Sequence, residues 1–404
     1  MDERQLSLIL KQNEDNVAFV VGNGIHRYFK SAISWEELME KLWGISSDTK
    51  NNIPNNIPNT ELYDIIELRY LESCRNKNKA AFLECLNSLL PLMRTNTKEG
   101  FAYQHCFTNN GGELQTTSLT NLMRNTALSQ SEKIIEKRSH ELFKEYGLPT
   151  NSTCTFSDIN VALELATETG VYNHLFLKHF IKKLFCNCEL DKRALAFVSY
   201  AKRINAPILT TNYDEALSKL MTLDIFSFSS YFDDKKYLFP LSSYFSDKER
   251  SGPLDGFSIW HINGMIEFQN SIRLGLCDYM DLTQQLREGI DVCNEAGFES
   301  LASVNSKDWR GKNTWLEIFF KKHLFIFGLG LNEDEIPLRW LLIQRAKYNQ
   351  MFDKNLKCWY IAPFCEKEKS IAKETFMKSV NVEMLYVDDY PTIYEKVWEI
   401  ASHD

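Results

Sequence analysis

Short apolar runs that end in glycine or polar residues recur along the chain at widely separated positions. Two of the clearest are Val17–Val21, followed by Gly22-Asn-Gly24, and Leu324–Phe327, followed by Gly328. Runs of this length and composition are typical of strands that are buried on both faces of a parallel sheet. Three further strands are predicted at Ala206–Thr210, Phe257–Trp260 and Lys357–Ala362. The last of these is expected to be the final strand of the chain.

Apolar residues at helical spacing lie between these runs. Trp35, Leu38 and Leu42 share one face of a predicted helix that begins after Ser34, and helices are also predicted at 215–221, 338–347 and 393–400. Residues 233–256 are polar and turn-rich, which is typical of loops. Strands that alternate with helices favour the α/β class, with a Rossmann-like, doubly wound parallel sheet. Ligands of such sheets bind beyond the carboxyl ends of the strands, which is where the polar and glycine clusters lie.

Residues 61–203 have a different pattern, which is helical nearly throughout. A small tandem repeat rich in Asn and Pro, Asn51–Asn59, precedes this block and predicts an exposed loop. The block is therefore expected to be a large all-helical insertion into the α/β domain. The predicted division is 1–50 for the first βα unit, 60–204 for the insertion, and 205–404 for the remainder of the Rossmann-type domain.

Composition narrows the class of protein. The chain has 404 residues, of which 44% are hydrophobic and 25% charged, and its net charge is −8. These values exclude a largely disordered chain, and they do not indicate a nucleic-acid partner, because phosphate binding requires clustered Lys and Arg. The charged N-terminus lacks the apolar region of a signal peptide, and no apolar run approaches the roughly 18 residues of a membrane span. We therefore expect a cytoplasmic protein without a membrane partner, whose ten cysteines are free thiols.

Two segments at predicted strand ends could carry chemistry. The Gly22-Asn23-Gly24-Ile25 turn would let the backbone approach a pyrophosphate, although such turns also occur simply as tight turns. In Thr211-Asn212-Tyr213-Asp214, the Asn212 amide offers a donor and an acceptor that suit a ribose hydroxyl or an attacking water. Asp214 could belong to the same site or could cap the helix that follows it.

His261 follows the strand predicted at Phe257–Trp260 and precedes Gly264. A histidine at this edge can accept a proton near neutral pH, and the alternative is a core histidine satisfied by the backbone. The order of Gly22–Ile25, Thr211–Asp214 and His261–Gly264 resembles the sirtuin family. In that family a phosphate-binding turn, a T-x-N-x-D segment and a segment with the catalytic histidine follow one another. Two later segments look like elements of the bacterial sirtuin-like branch used in antiphage defence, namely Gly275–Asp281 and Phe327–Asp334.

The resemblance implies that NAD is the substrate and that Asn212 and His261 are catalytic. It implies that NAD is bound by Gly22, Asn23, Gly24, Ile25, Thr211, Asp214, Gly328 and Asp334. Deacetylase sirtuins carry a zinc ribbon with two C-x₂-C pairs, which this sequence lacks, so no metal is predicted and NAD hydrolysis to nicotinamide and ADP-ribose is favoured. A protein deacylase and a non-catalytic nucleotide-binding or scaffold subunit of a defence complex remain open. The defence branch further implies a HerA-type hexameric ATPase as a partner. The amphipathic helices predicted in the insertion offer more apolar faces than a peripheral insertion requires, so we also expect a homo-oligomer.

Overall fold

The computed structural model describes residues 1–30, 33–46, 52–54, 56–76, 174–185, 188–232, 241–266, 268, 271–290, 301–369 and 371–403. The chain forms two compact units, of which the first comprises Met1–Trp35 with Phe185–Asp404 and the second Glu36–Leu184. These boundaries differ from the predicted insertion at 60–204 on both sides, because residues 36–59 belong to the second unit and residues 185–204 to the first. Most of the predicted insertion, residues 77–173, lies outside the described residues. Its all-helical character therefore stays a prediction.

The first unit contains an eight-stranded sheet whose order is β3-β4-β5-β2-β1-β6-β7-β8. The strands are β1 Val17–Val21, β2 Ile208–Thr210, β3 Asp224–Ser227, β4 Ser243–Ser246, β5 Ile259–His261, β6 His323–Phe327, β7 Cys358–Pro363 and β8 Glu383–Val387. The six strands from β5 to β8 in this order are parallel, and β4 and β3 extend the sheet in antiparallel pairing. The predicted α/β class with a mostly parallel sheet is therefore confirmed.

The order of the parallel strands places the chain's first strand at the centre. On one side of β1 lie β2 and then β5. On the other side lie β6, β7 and β8, in the order in which they follow along the chain. This is the strand order of a Rossmann-like, doubly wound sheet. The direction of winding changes between β1 and β6, and a crevice forms at such a point beyond the carboxyl ends of the strands.

Helices cover both faces of this sheet. Those of the first unit are α1 Glu3–Lys11, α2 Gly24–Phe29, α6 Leu195–Arg203, α7 Ala216–Lys219, α8 Leu276–Ile290, α9 Trp315–Lys321, α10 Ile336–Met351, α11 Ile371–Ser379 and α12 Val397–His403. Alternate residues of β1 face opposite sides. Phe19 packs edge-to-face against Phe197 of α6 and Trp398 of α12, with ring centroids 5.3 and 5.6 Å apart respectively. Ala18 and Val20 belong to the core on the other face.

The second unit contains the helices α3 Trp35–Ser46, α4 Asn59–Asn76 and α5 His174–Phe185, of which Trp35 and Phe185 belong to the first unit. Helix α4 buries Leu62, Ile66 and Tyr70, which lie four residues apart on one face. Arg69 connects α4 to α3, because its guanidinium lies 3.5 Å from the Trp43 ring centroid and its Nε donates to Ser46 Oγ at 3.3 Å. Among the described residues of the whole chain, no helix has the length and apolar content needed to cross a bilayer.

Two expectations about strands are wrong. Lys357–Ala362 is not the final strand, because β8 follows it and pairs in parallel with β7. The turn-rich stretch 233–256 contains β4, which pairs with both β3 and β5. Both missed elements are short and carry polar residues: β8 is an edge strand with alternating burial, and β4 has the sequence Ser-Tyr-Phe-Ser. Strand β4 therefore has only two apolar residues in a row, whereas β8 does contain an apolar run, Met384–Val387, that sequence reasoning overlooked.

Candidate functional site

The predicted site segments lie together at the carboxyl edge of four neighbouring strands. Hydrogen bonds of the sheet continue one residue past the strand ends, from Thr211 N to Val21 O at 3.0 Å and from Ile262 N to Thr210 O at 2.8 Å. On the other side of β1, Gly22 N donates to Phe327 O at 3.2 Å. The segments that follow β5, β2, β1 and β6 therefore meet side by side at the crevice.

Close packing explains the two glycines of the turn after β1. Gly24 N donates to Gly328 O at 2.8 Å, so the turns after β1 and β6 are in backbone contact. A Cβ on Gly22 would lie 2.5 Å from Gly328 O, and one on Gly24 would lie 2.6 Å from Gly328 Cα. Gly328 itself has φ +69, a conformation that favours glycine. Both glycines are thus required by the approach of the two turns, whether or not a phosphate binds there.

Asn212 connects three strands at this edge. Its backbone N donates to Thr210 Oγ1 at 3.1 Å, and its side-chain Nδ2 donates to Gly22 O at 3.4 Å. Its carbonyl oxygen lies 2.7 Å from Nδ1 of His261. The residue is buried, with 6% of its surface exposed. Asn212 and His261, the two predicted catalytic residues, are therefore in direct contact.

His261 is the last residue of β5 and is almost fully buried. A backbone carbonyl can only accept, so the contact with Asn212 O places the proton on Nδ1 and leaves a lone pair on Nε2. Within the described part of the chain, Nε2 has no hydrogen-bond partner. Burial lowers the pKa of His261, against the opposing effects of the Asn212 bond and Asp214. The ring is therefore neutral at pH 7, with one nitrogen held by the backbone and the other available as a base.

Asp214 makes the bond expected of a helix cap and a second contact that the sequence did not predict, while its role in NAD binding stays a prediction. Its Oδ1 accepts from Ala216 N at 2.9 Å, as a residue at the start of a helix does. Its Oδ2 lies 3.0 Å from Nε2 of His26, and 0% and 4% of the His26 and Asp214 side chains are exposed. Burial raises the pKa of Asp214, but His26, the Ala216 N–H and His261 together outweigh this effect, so the pKa is lowered. The pair joins the segment after β2 to α2.

His26 was not predicted from the sequence. Its position was a usable signal, because it lies two residues after Gly24, in the first turn of the helix that follows the glycine turn.

Three of the residues predicted to bind NAD lie near His26 or at the end of β2. Ile25 is buried in the core, and Asn23 occupies the position before α2 without a side-chain cap bond. Thr211 is buried at the strand end.

Asp334 lies farther from this centre. It is half-buried in the loop between β6 and α10, and no hydrogen bond among the described residues joins its side chain to Asn212, Asp214 or His261. Its neighbour Glu335 is also half-buried. Burial, with a smaller contribution from the charge of Asp334, raises the pKa of Glu335 to about 7. Sequence reasoning missed this carboxyl.

The segment after His261 folds back on itself. Arg273 N donates to Asn263 O at 3.2 Å, and the hydroxyl of Tyr213 donates to Arg273 O at 2.6 Å. Gly264 supplies the turn with φ +100, and a Cβ there would lie 2.2 Å from Ser271 O. The chain therefore returns to Asn263, at the sheet edge, by Arg273.

Comparisons with known proteins identify no family for this chain. No family model matches the sequence, and no curated protein matches it. Within the described residues, no group of three or more His, Cys, Asp or Glu side chains is placed to hold a metal ion.

Proposed function

We propose that this chain is an NAD⁺ glycohydrolase, which breaks the bond between nicotinamide and ribose and releases nicotinamide and ADP-ribose. The proposal depends chiefly on the contact between Asn212 and His261. That contact, made by the Asn212 backbone carbonyl, gives a buried, neutral imidazole whose Nε2 lone pair is available at the crevice of a Rossmann-like sheet. The Asn212 side-chain amide lies at the same sheet edge, where its Nδ2 donates to Gly22 O at 3.4 Å. A base and a polar positioning group are what hydrolysis of an already activated glycosidic bond requires.

The strand order supports a direction for the bound dinucleotide. Asn212 follows β2 and His261 ends β5, on one side of the switch point, so the nicotinamide ribose belongs there. The ADP part then extends across the turn at Gly22–Ile25 towards the loop that begins at Gly328 and contains Asp334. In this arrangement Thr211 and Asp214 order the strand end that carries Asn212.

The reaction balances without a further reactant. The bond between ribose C1′ and the pyridinium nitrogen breaks, and its electron pair stays on that nitrogen, so nicotinamide leaves neutral. A water oxygen forms the new bond to C1′. Nε2 of His261 takes the proton released from the water or from the ribose and returns it to solvent. Asn212 positions the ribose and the water.

The short return of the chain after His261 favours hydrolysis over protein deacylation. A deacylase on this fold needs a small domain that forms a cleft for acyl-lysine. Here Arg273 N donates to Asn263 O, so the connection after the histidine segment is only ten residues long and leaves no room for such a domain.

A role in antiphage defence, through depletion of NAD and with a HerA-type ATPase as partner, is proposed on the resemblance alone.

An incubation of the purified protein with NAD tests the proposal. We expect nicotinamide and ADP-ribose in equal amounts by HPLC, and we expect His261→Ala to lower turnover at least about 100-fold, the usual contribution of general acid–base catalysis. Asn212→Ala should be similarly inactive, and the double variant scarcely worse, because residues that act as one unit are not additive. His323→Ala, at the opposite end of β6, is the matched control and should retain activity.

Three results would contradict the assignment. Near wild-type turnover by His261→Ala, with an unchanged thermal melt of the protein, would mean that another residue is the base. Consumption of NAD only when an acetylated peptide is present would indicate the deacylase. Binding of NAD without any product would indicate a non-catalytic nucleotide-binding subunit.

A further inference from the structure

His26 and Asp214 form a buried pair beside the proposed base. His26 belongs to α2, directly after the glycine turn, and Asp214 ends the segment after β2. Their side chains are 0% and 4% exposed, and His26 Nε2 lies 3.0 Å from Asp214 Oδ2. The contact is an ion-pair distance, and a carboxylate oxygen can only accept, so any proton shared across it comes from His26 Nε2. Neither side chain has a role in the chemical steps proposed above.

Asp214 is held at both oxygens. Oδ2 contacts His26, and Oδ1 accepts from Ala216 N at 2.9 Å. A buried carboxylate is costly unless it is paired and hydrogen-bonded, and here both conditions are met. The other end of the segment is fixed to β1, because Thr211 N donates to Val21 O at 3.0 Å. The four residues from Thr211 to Asp214 are therefore anchored at each end.

Asn212 lies between these two anchors. Its carbonyl accepts from Nδ1 of His261 at 2.7 Å, and this bond decides which ring nitrogen carries the proton. If the carbonyl turned away, the Nδ1 proton would lose its acceptor, and the tautomer with the proton on Nε2 would gain population. That tautomer has no lone pair on Nε2 and could not act as a base there.

We propose that His26 is a positioning residue, which with Asp214 fixes the Thr211–Asp214 segment so that the Asn212 carbonyl keeps His261 in the Nδ1-protonated tautomer. The consequence for catalysis rests on the proposed function, but the tautomer itself is a property of the protein without NAD. His26 therefore acts through two other residues and does not touch the substrate.

The test compares two substitutions of different chemistry. His26→Phe keeps an aromatic ring of similar shape and removes the donor. His26→Gln keeps a donor, because its side-chain amide N–H can reach Asp214 Oδ2 in place of the imidazole Nε2. His323→Gln, at the amino end of β6, is the control for loss of a histidine away from the site.

The first readout is the ¹⁵N spectrum of protein labelled at histidine, recorded without NAD. In the wild type and in His26→Gln, we expect His261 to show the shifts of a neutral ring with the proton on Nδ1. In His26→Phe we expect a mixture of tautomers. The second readout is kinetic: His26→Phe should lower kcat about 100-fold, the effect of a small misplacement in a reacting group, with little change in KM.

The outcomes separate this inference from the proposed function. The role proposed for His26 is supported if the His261 tautomer changes in His26→Phe and is of the wild-type form in His26→Gln. This holds even if the wild type releases no nicotinamide, because that result would overturn only the proposed NAD⁺ glycohydrolase activity. An unchanged His261 spectrum in folded His26→Phe overturns the role proposed for His26, whatever the turnover. If His26→Phe does not fold, Asp214→Asn serves instead: its Oδ1 still accepts from Ala216 N, but its charge is gone, and the tautomer must again be lost.

Discussion

Gly24 lies where the turn after β1 meets the turn after β6. A Cβ on this residue would be 2.3 Å from the Tyr394 hydroxyl oxygen, 2.6 Å from Gly328 Cα and 2.9 Å from Gly328 O. The tyrosine could shift, but the Gly328 backbone is fixed by the hydrogen bond from Gly24 N. We expect Gly24→Ala to lower the free energy of unfolding by about 1–3 kcal/mol, the usual effect of overpacking, and to lower the urea midpoint accordingly.

Gly44 provides the matched control. It is an exposed helical residue in α3, and a Cβ there would meet nothing within 4 Å. Gly44→Ala should therefore raise the free energy of unfolding by about 0.5–1 kcal/mol through helix propensity. A Gly24→Ala protein as stable as the wild type would show that the two turns do not need the close contact. The sequence identified this turn as special, but the partner that makes glycine necessary, Gly328, is about 300 residues away.

Helix α10 is anchored through a buried arginine. Arg345 donates to the carbonyls of Phe319, Lys322 and Lys357, the last at 3.2 Å, and so joins α10 to the end of α9 and the start of β7. Burial lowers its pKa to about 10, so it stays charged at neutral pH. Arg345→Met keeps much of the volume but leaves these carbonyls without the donor. We expect a loss of about 3 kcal/mol in the free energy of unfolding, measured in urea.

Lys347→Met on the same helix is the control for this substitution. Lys347 is exposed, and an exposed substitution usually changes the free energy of unfolding by less than about 0.5 kcal/mol. Equal urea midpoints for the two variants would mean that α10 does not depend on Arg345. The sequence showed a helix here, predicted at 338–347 and found at Ile336–Met351. It could not show which carbonyls the arginine reaches, because they come from two other elements.

Among the secondary-structure elements, the buried parallel strands were predicted from the sequence better than the other strands of the sheet. Apolar runs gave β1, β2, β5, β6 and β7 to within a few residues, because a strand covered on both faces has few polar positions. Strands β3 and β4 lie towards one edge, where polar residues are tolerated and the apolar run is only two residues long. Strand β8 at the other edge has an apolar run, Met384–Val387, that sequence reasoning overlooked. The site segments were predicted because the ends of buried strands can be recognised in the sequence. The pairing of Asp214 with His26 could not be predicted, because it depends on which strands are neighbours in the sheet.

The whole chain divides into a sheet-containing unit and a second unit of residues 36–184, and the residues assigned to catalysis all lie in the first. An effector that depletes NAD requires control. We propose that the second unit provides it by assembling copies of the chain, an arrangement that closed symmetry makes common. In the described part of that unit, Leu68 is an exposed apolar residue at which assembly can be tested. It is 65% exposed on α4, whose opposite face buries Leu62 and Ile66.

Light scattering on the purified protein should therefore give a mass well above the 47.1 kDa of one chain. Leu68→Glu places a charge on that apolar position, so it should lower the measured mass and change NAD turnover while leaving Asn212 and His261 untouched. Glu61→Lys, an exposed charge change on the same helix, should preserve both mass and turnover. A wild-type protein that is a clean monomer with full NAD hydrolysis would contradict assembly as the means of control. If instead the wild type assembles and Leu68→Glu retains the wild-type mass, Leu68 has no part in the contact and its assignment to the assembly surface is wrong.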